Sequence, residues 1–521
     1  MNNEQSFSFF PMFRDFIPER FRLWIILFFP LVFQASNPLF MGLSAQQAGS
    51  LSLIREDIMM CGFTSIIGIT CTFPIVFRLK FRFTTRQILL TVSLGLALLN
   101  LFTLHCRLMP LLVIASFLYG ILKLWGTFEC VSSALPKISP NHILPPFLAV
   151  VFTIVFCGVE LSCISGIYIN HLYNWQHVSY FVMASLLFLA LLSAITMQDF
   201  RFKPPVPLLS VDWLGMLLWG ILLGSISFVF IYGDYLNWFV SPYIRIASAI
   251  SLFAFGLNFG RMMTIHHPYI EPQLFCYQNI WNVLIIFMIS GLMLSSQSVL
   301  EHIFTGSILN FGEMRLANLN WITIAGLCIG SIFSYFALTK WGWNTKQMTF
   351  LSILFTTMYA ISMFFLISPH TTLEQLYIPS LFNGIGHTML FITLTAYMEG
   401  NVPFPHRFQI LMVLGLIRTG IASPIGGAFF GHLFKIEMSK NSAWLASDIS
   451  HISVSQLPFT TITNEVIRQS MLVSVRNLFG IAVLIGLLTL IIILASRFRN
   501  VSFRLLSFNK IHKILLQRIR S

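Results

Sequence analysis

From Leu23 to Arg497 the chain keeps returning to apolar runs of about twenty residues, the length a helix needs to cross the hydrocarbon core of a bilayer. Lipid offers no partner to a backbone N–H or C=O, so runs of this kind have to be helices. Fourteen are legible, at roughly 22–42, 57–78, 86–105, 109–132, 147–170, 177–197, 212–232, 243–263, 278–297, 319–339, 347–367, 375–397, 409–433 and 477–497. The second is the weakest, because Arg55, Glu56 and Asp57 crowd its start. Only 9% of the residues are charged, against about a quarter in a soluble domain. The surface is left instead to residues such as the 53 Phe and 11 Trp, which suit lipid and its interfaces. No A-x-A cleavage site follows the first run, which reads as a span and not as a leader.

An even number of spans puts both termini on one side. Segments on that side hold 21 Lys and Arg and those on the other side 8, so the positive-inside rule makes both termini cytoplasmic. The net charge of +13 is then loop charge, and nucleic acid is not an expected partner. Six of the eight Cys lie inside apolar runs, where Cys behaves as a small hydrophobe. No C-x-x-C or Cys/His spacing suggests a metal, so neither disulfides nor a cofactor is expected. There is no G-x-x-x-x-G-K-[ST] loop to bind ATP. Polar, Pro-containing stretches at 198–210 and 266–278 follow helices six and eight. They divide the chain into a six-helix bundle (1–200), a two-helix linker (201–272), a second six-helix bundle (273–497) and a basic amphipathic tail (498–521) suited to anionic headgroups. A six-plus-six count fits the internal duplication of secondary transporters. The outer segment 434–475 is long and polar enough for an amphipathic or hairpin element.

Helix seven opens with Val211-Asp212-Trp213-Leu214-Gly215. Gly233-Asp234-Tyr235-Leu236-Asn237-Trp238 closes it, and Glu271-Pro272 comes after helix eight. An Asp-Trp-x-Gly start, a Gly-x-x-x-x-Trp loop and an acidic Pro turn in this order resemble the 14-helix drug:proton antiporter branch of the major facilitator superfamily. Other motifs of that branch are eroded. Its Gly-x-Leu-x-Asp-Arg-x-Gly-Arg-Arg loop reads Phe77-Arg78-Leu79-Lys80-Phe81-Arg82-Phe83-Thr84-Thr85-Arg86 here, with Phe81 for the latching Asp and Thr84 for the second Gly. Basic character alone survives in this gating loop, in Arg78, Lys80, Arg82 and Arg86. Its helix-four Arg is Ser116, its Gly-Pro-x-x-Gly appears as Ser162-Cys163-Ile164-Ser165-Gly166, and Arg418-Thr419-Gly420 resembles its Arg-and-glycine helix.

The resemblance implies an all-α major facilitator fold of two six-helix bundles and two linker helices. It also implies a non-enzymatic secondary transporter, expelling hydrophobic or amphipathic compounds in exchange for protons by alternating access. The expected partners are the bilayer of an inner (plasma) membrane, a small-molecule substrate and protons. A monomer is expected, with periplasmic accessory proteins left open. Alternatives are the same fold carrying a siderophore-like or lipid-linked substrate, or a degenerate transporter or sensor. A membrane enzyme built on His266-His267 would have only Glu271 as an acidic partner.

A charge inside a span needs a partner or a task. Lys123 lies two turns beyond Ser116 on the same face, about 13 Å deep, and Glu160 about 20 Å deep. A Lys123–Glu160 pair with Glu160 as proton carrier is therefore expected, since hydrocarbon favours the neutral carboxyl. Glu129 is a further proton-coupling candidate, though it is close enough to the cytoplasmic end of its helix to snorkel. Candidate cavity residues are Gln34 and Asn37, three apart before Pro38, with Tyr119 and Arg418. Asn383 and His387 join them, four apart on one helix face.

Overall fold

The computed structural model describes residues 10–496 and 498, except 38, 40, 141–142, 202–207, 209–210, 278 and 450–458. Prolines 38, 204, 205 and 207 and nearly all of the expected basic tail lie outside the described residues. In chain order the helices are α1 (Glu19–Ala35), α2 (Ser44–Leu51), α3 (Arg55–Thr72), α4 (Val76–Arg82), α5 (Thr85–His105), α6 (Met109–Ile138), α7 (Leu144–Leu172), α8 (Trp175–Thr196), α9 (Trp213–Tyr232), α10 (Pro242–Thr264), α11 (Ile280–Ser296), α12 (Glu313–Thr339), α13 (Thr345–Leu366), α14 (Tyr377–Asn401), α15 (Arg407–Gly415), α16 (Ser423–Ile449) and α17 (Phe459–Ala495). Among the described residues, eleven helices are long and apolar enough to cross a membrane, or up to twelve if the bent α3–α4 pair is one span. This is fewer than the fourteen expected. A helix stands at every expected span, but α1 has only 17 residues, and α14 carries Asn383, His387 and three threonines along its length. The chain is a multi-pass membrane protein.

Several boundaries differ from expectation for identifiable reasons. The run 57–78 breaks at Pro74, where the N–H needed to continue the ladder is absent, and α4 leaves α3 at 68°. The run 278–297 does not end at Gln297. It continues through widened π-helical turns at Gln297–Glu301 and Ile303–Ile308. A third such turn, Leu416–Ala422, joins α15 to α16. The outer segment 434–475 is helical where described: α16 and α17 run well past their expected ends and pair as a hairpin, with Asn441 donating to Ser474 Oγ at 2.9 Å. Its tip, 450–458, lies outside the described residues.

One hydrophobic core is drawn only from α1–α8 and the segment before them, among it Phe29, Phe33, Leu89, Val92 and Leu186. Another is drawn only from residues after α10, among it Phe304, Tyr359, Phe430 and Phe479. A close helix crossing occurs in each half. A methyl group on Gly68 would land on the Phe117 carbonyl oxygen and one on Gly120 on that of Ser65, so α3 and α6 touch backbone to backbone. Gly326 against Leu381 and Gly384 against Thr323 bring α12 and α14 together in the same way. Small residues permit this approach in lipid, where packing and not hydrophobicity holds helices together.

The linker motif closes a hairpin of α9 and α10. Asp212 caps α9 by accepting from the Gly215 N–H at 2.9 Å and pairs with Arg261 of α10. Any side chain at Gly215 would collide with Asp212 and Tyr269. At the other end the Trp238 N–H donates to the Gly233 carbonyl at 2.7 Å, and the Trp238 indole to Asp234 at 2.9 Å. The hairpin bridges both halves. Tyr232 bonds Asp57 of α3, while Asp234 meets Lys435 of α16 at 3.2 Å and His432 at 3.1 Å. Burial works against the Asp234 carboxylate, but Trp238, Lys435 and His432 outweigh it and hold it below its ordinary range. Helix α9 thus covers the seam where α3 meets the π-helical turn at Leu416–Ala422. Along the second seam, α7 packs against α12 and α14.

Candidate functional site

Polar groups from both halves converge inside the helix assembly, and the π-helical turns aim three of them. A π turn inserts an extra residue into the helical ladder and redirects the side chains around it. Gln297 and Glu301 sit on one such turn and Arg418 on another. Glu301 Oε2 accepts from the Tyr359 hydroxyl at 2.7 Å. From the other half, Glu160 of α7 lies within electrostatic range of Glu301. Both are half-buried. Asn383 donates to Gln297 Oε1, and its own buried Oδ1 accepts from no described group. Arg418 Nη2 lies 2.7 Å from His387 Nε2, and its guanidinium rests 3.6 Å from the Phe391 ring centroid. Phe156 of α7 packs against His387 at 4.4 Å in a tilted arrangement and meets Phe391 at 5.0 Å. The arrangement offers a delocalised cation on an aromatic floor, an open acceptor and two carboxyls, one from each half.

The expected Lys123–Glu160 pair does not form. Lys123 is fully buried, and its ammonium donates to the Ser36 carbonyl at 2.9 Å and to Asn37 Oδ1 at 3.1 Å. Helix α1 ends at Ala35, which leaves carbonyls without helical partners. Lys123 supplies one, and a cation there also suits the negative end of the helix. Depth along a helix is readable from sequence, but the neighbour it faces is not. Asn37 also donates to Ser162 Oγ at 2.9 Å, and Gln34 is buried against Thr127 at 2.9 Å. Tyr119 is wholly inside the N-terminal core. Asn383 and His387 share a face but take different partners.

Glu129 does not snorkel. It is 1% exposed, lies 3.2 Å from Lys80, and accepts from Thr85 Oγ1 at 2.7 Å and Ser133 Oγ at 3.3 Å. Lys80 is therefore not a solvated loop cation. Because α4 folds back against α6, its ammonium is buried between Glu129 and Ser133, the latter at 2.9 Å. Arg86 remains outside and pairs with Asp199 at 3.4 Å. Arg82 lines a shallow inner-face hollow with Arg201.

The halves also meet at both faces. On the inner side Phe77 of α4 packs against Phe408 at 4.4 Å and Phe404 at 5.8 Å, with Phe128 at 4.9 Å behind it. Beside this cluster His406 Nε2 lies 2.7 Å from Glu271, and the Tyr277 hydroxyl 2.8 Å from Nδ1. On the outer side Gln46 donates to Glu313 at 2.8 Å. Glu301, Gln297 and Tyr359 are absent from the sequence-based candidates: Glu301 lies beyond the run read as ending at Gln297, while Gln297 and Tyr359 lie inside runs and gain meaning only from their partners across helices. The apolar residues of 299–308 were the available clue.

No family model matches the sequence, and no curated protein matches it. Solved structures do resemble the chain. An auto-inhibited POT family peptide transporter shares 13% identity at a TM-score of 0.50, covering 93% of this chain and 99% of its own. The human organic anion transporter MFSD10 (TETRAN) shares 10% at 0.52, with coverage of 92% and 100%. A bacterial homologue of the human lysosomal transporter Spinster, inward-facing and unoccupied, shares 12% at 0.52, with coverage of 92% and 98%. The fold is that of major facilitator transporters.

Proposed function

We propose that the chain is a secondary active transporter of the drug:proton antiporter type, exporting hydrophobic or amphipathic compounds across an inner (plasma) membrane. The bundles 1–200 and 273–497 rock about the polar site, with 201–272 as the linker. What supports this reading is a pair of half-buried carboxyls, Glu160 from one half and Glu301 from the other, within electrostatic range of each other. Two such carboxyls in a low-dielectric setting do not both stay ionised easily, so their protonation depends on how far apart the halves stand. That couples a proton to the rocking motion. Arg418, His387, Phe156 and Phe391 then form the substrate floor, and Lys123 holds the end of α1. The test is fluorescent-dye efflux from energised cells, with and without an uncoupler. Wild type exports dye only with the gradient intact. Glu160→Gln and Glu301→Gln each lose uncoupler-sensitive efflux by at least about tenfold, the rate equivalent of about 1.4 kcal/mol. Full efflux in both variants would remove the coupling mechanism. A second reading, an anionic or lipid-linked substrate on the same fold, is favoured by Arg418 and is tested by competition of such compounds with the dye.

The inner gate in this reading is aromatic. Where the resembled family latches its loop with Asp, Phe81 is buried, and Phe77 spans to Phe404 and Phe408. Aromatic pairs contribute about 0.5–1.5 kcal/mol each beyond their burial. Phe77→Ala removes both pairs across the halves and shifts the equilibrium toward an open inner face by about 1–3 kcal/mol. Thiol labelling from the cytoplasm of a cysteine placed at Thr70, which is buried against Gly415 across the halves and leaves the aromatic cluster intact, measures it. Unchanged labelling on removal of the Phe77 ring would show that the gate lies elsewhere.

A further inference from the structure

The seam left uncovered by the linker hairpin carries a lateral groove of about 630 Å³ between α1, α7 and α12. Its walls include Trp24, Phe28, Leu31, Val150, Ile332 and Phe336. Two wall hydroxyls, those of Thr153 and Ser331, both donate to the Ala149 carbonyl, at 2.7 and 3.0 Å, so the wall presents an apolar surface. The groove starts at the inner ends of its helices, at Ile138 of α6, Pro146 of α7 and Phe336 of α12. From Trp24 it runs about 10 Å along α1 to Leu31, and from Pro146 about 12 Å along α7 to Ile154. That is most of one leaflet, which is half of a hydrocarbon core about 30 Å thick.

The rim at this inner end is basic. Lys340 holds its ammonium 4.9 Å from the centroid of Phe336, a wall residue. Arg20 is one turn before Trp24, and Lys137 adjoins Ile138; all three cations are exposed. Glu19 is the acidic residue on the same turn as Arg20. An apolar slot most of a leaflet deep, topped by cations at headgroup level, matches an amphiphile with a negative head and a hydrocarbon tail. We propose that this groove is a binding site for an anionic phospholipid of the cytoplasmic leaflet. One acyl chain inserts between α1, α7 and α12, and the phosphate meets Lys340, Arg20 and Lys137. The lipid so placed lies between the two halves, so its occupancy weighs on how far α7 and α12 separate.

The test is native mass spectrometry of the full-length protein, released from detergent containing equal phosphatidylglycerol and phosphatidylcholine. The wild type is expected to retain one phosphatidylglycerol in preference. Val150→Trp and Ile332→Trp, which fill the slot from its lipid-facing side, lose that adduct while still eluting as folded protein. Lys340→Gln with Arg20→Gln keeps a bound lipid but loses the preference, by about fivefold per cation removed. Equal retention of both lipids by the wild type would overturn the headgroup assignment. Undiminished retention by both folded Trp variants would overturn the slot. If one Trp variant does not fold, the other and the double Gln variant carry the test.

Discussion

Replacing Lys80 by Met, with Glu129 left in place, is expected to destabilise the protein by about 3–5 kcal/mol. The two groups lie 3.2 Å apart with side chains 1% and 2% exposed, so removing the cation strands a carboxylate with no water to solvate it. Thr85 and Ser133 still donate to Oε1, but Oε2 has no partner among the described residues. The double variant Lys80→Met with Glu129→Leu is expected to recover most of the loss. Replacing a buried pair with apolar groups of similar volume is often neutral or stabilising, whereas breaking it is costly. Denaturant unfolding in mixed micelles separates the three proteins. A cost below about 1 kcal/mol for Lys80→Met is what a water-exposed pair would give, and it would show that α4 does not seal against α6.

Adding side chains at the two helix crossings comes next in size. Gly120→Val and Gly384→Val are each expected to cost about 1–3 kcal/mol or more. The atoms in the way are the carbonyl oxygens of Ser65 and Thr323 and not the ends of flexible side chains. The helices have to separate, and every contact along the crossing weakens with them. Gly256→Ala on α10 is the control, because nothing lies within 4 Å of its added methyl. That substitution is expected to stabilise by up to about 1 kcal/mol, since Gly is a poor helix former. Similar losses for crossing and control variants would mean that general sensitivity of the helices, and not the backbone contact, sets the effect.

Much of the architecture was legible because lipid imposes it. Apolar length marks the spans, basic loops mark the inner side, and Asp212, Gly215, Gly233 and Trp238 resemble a known pattern. The structure adds the reason for that pattern, which is closure of one hairpin. Partners across helices were less accessible. Lys123 could be given a depth and a face, but the face pointed to the frayed end of α1 and not to Glu160. Glu129 was near a helix end, and only the fold-back of α4 after Pro74 buries it. Glu301 was lost because a π turn does not announce itself in hydropathy. Phe77 read as the decay of a glycine, yet it bridges the halves.

The α9–α10 hairpin makes the molecule's two flanks unequal. Clasped to α3 through Tyr232 and Asp57, and to α16 through Asp234 and Lys435, it acts as the spine of a book. In the proposed rocking motion, separation of the halves swings widest at the opposite edge, along α7 and α12. Lateral pressure acts around the whole perimeter but has its longest lever at that edge. In the proposed motion, a change in bilayer tension therefore works on the protein as a torque about α9, not as a uniform squeeze.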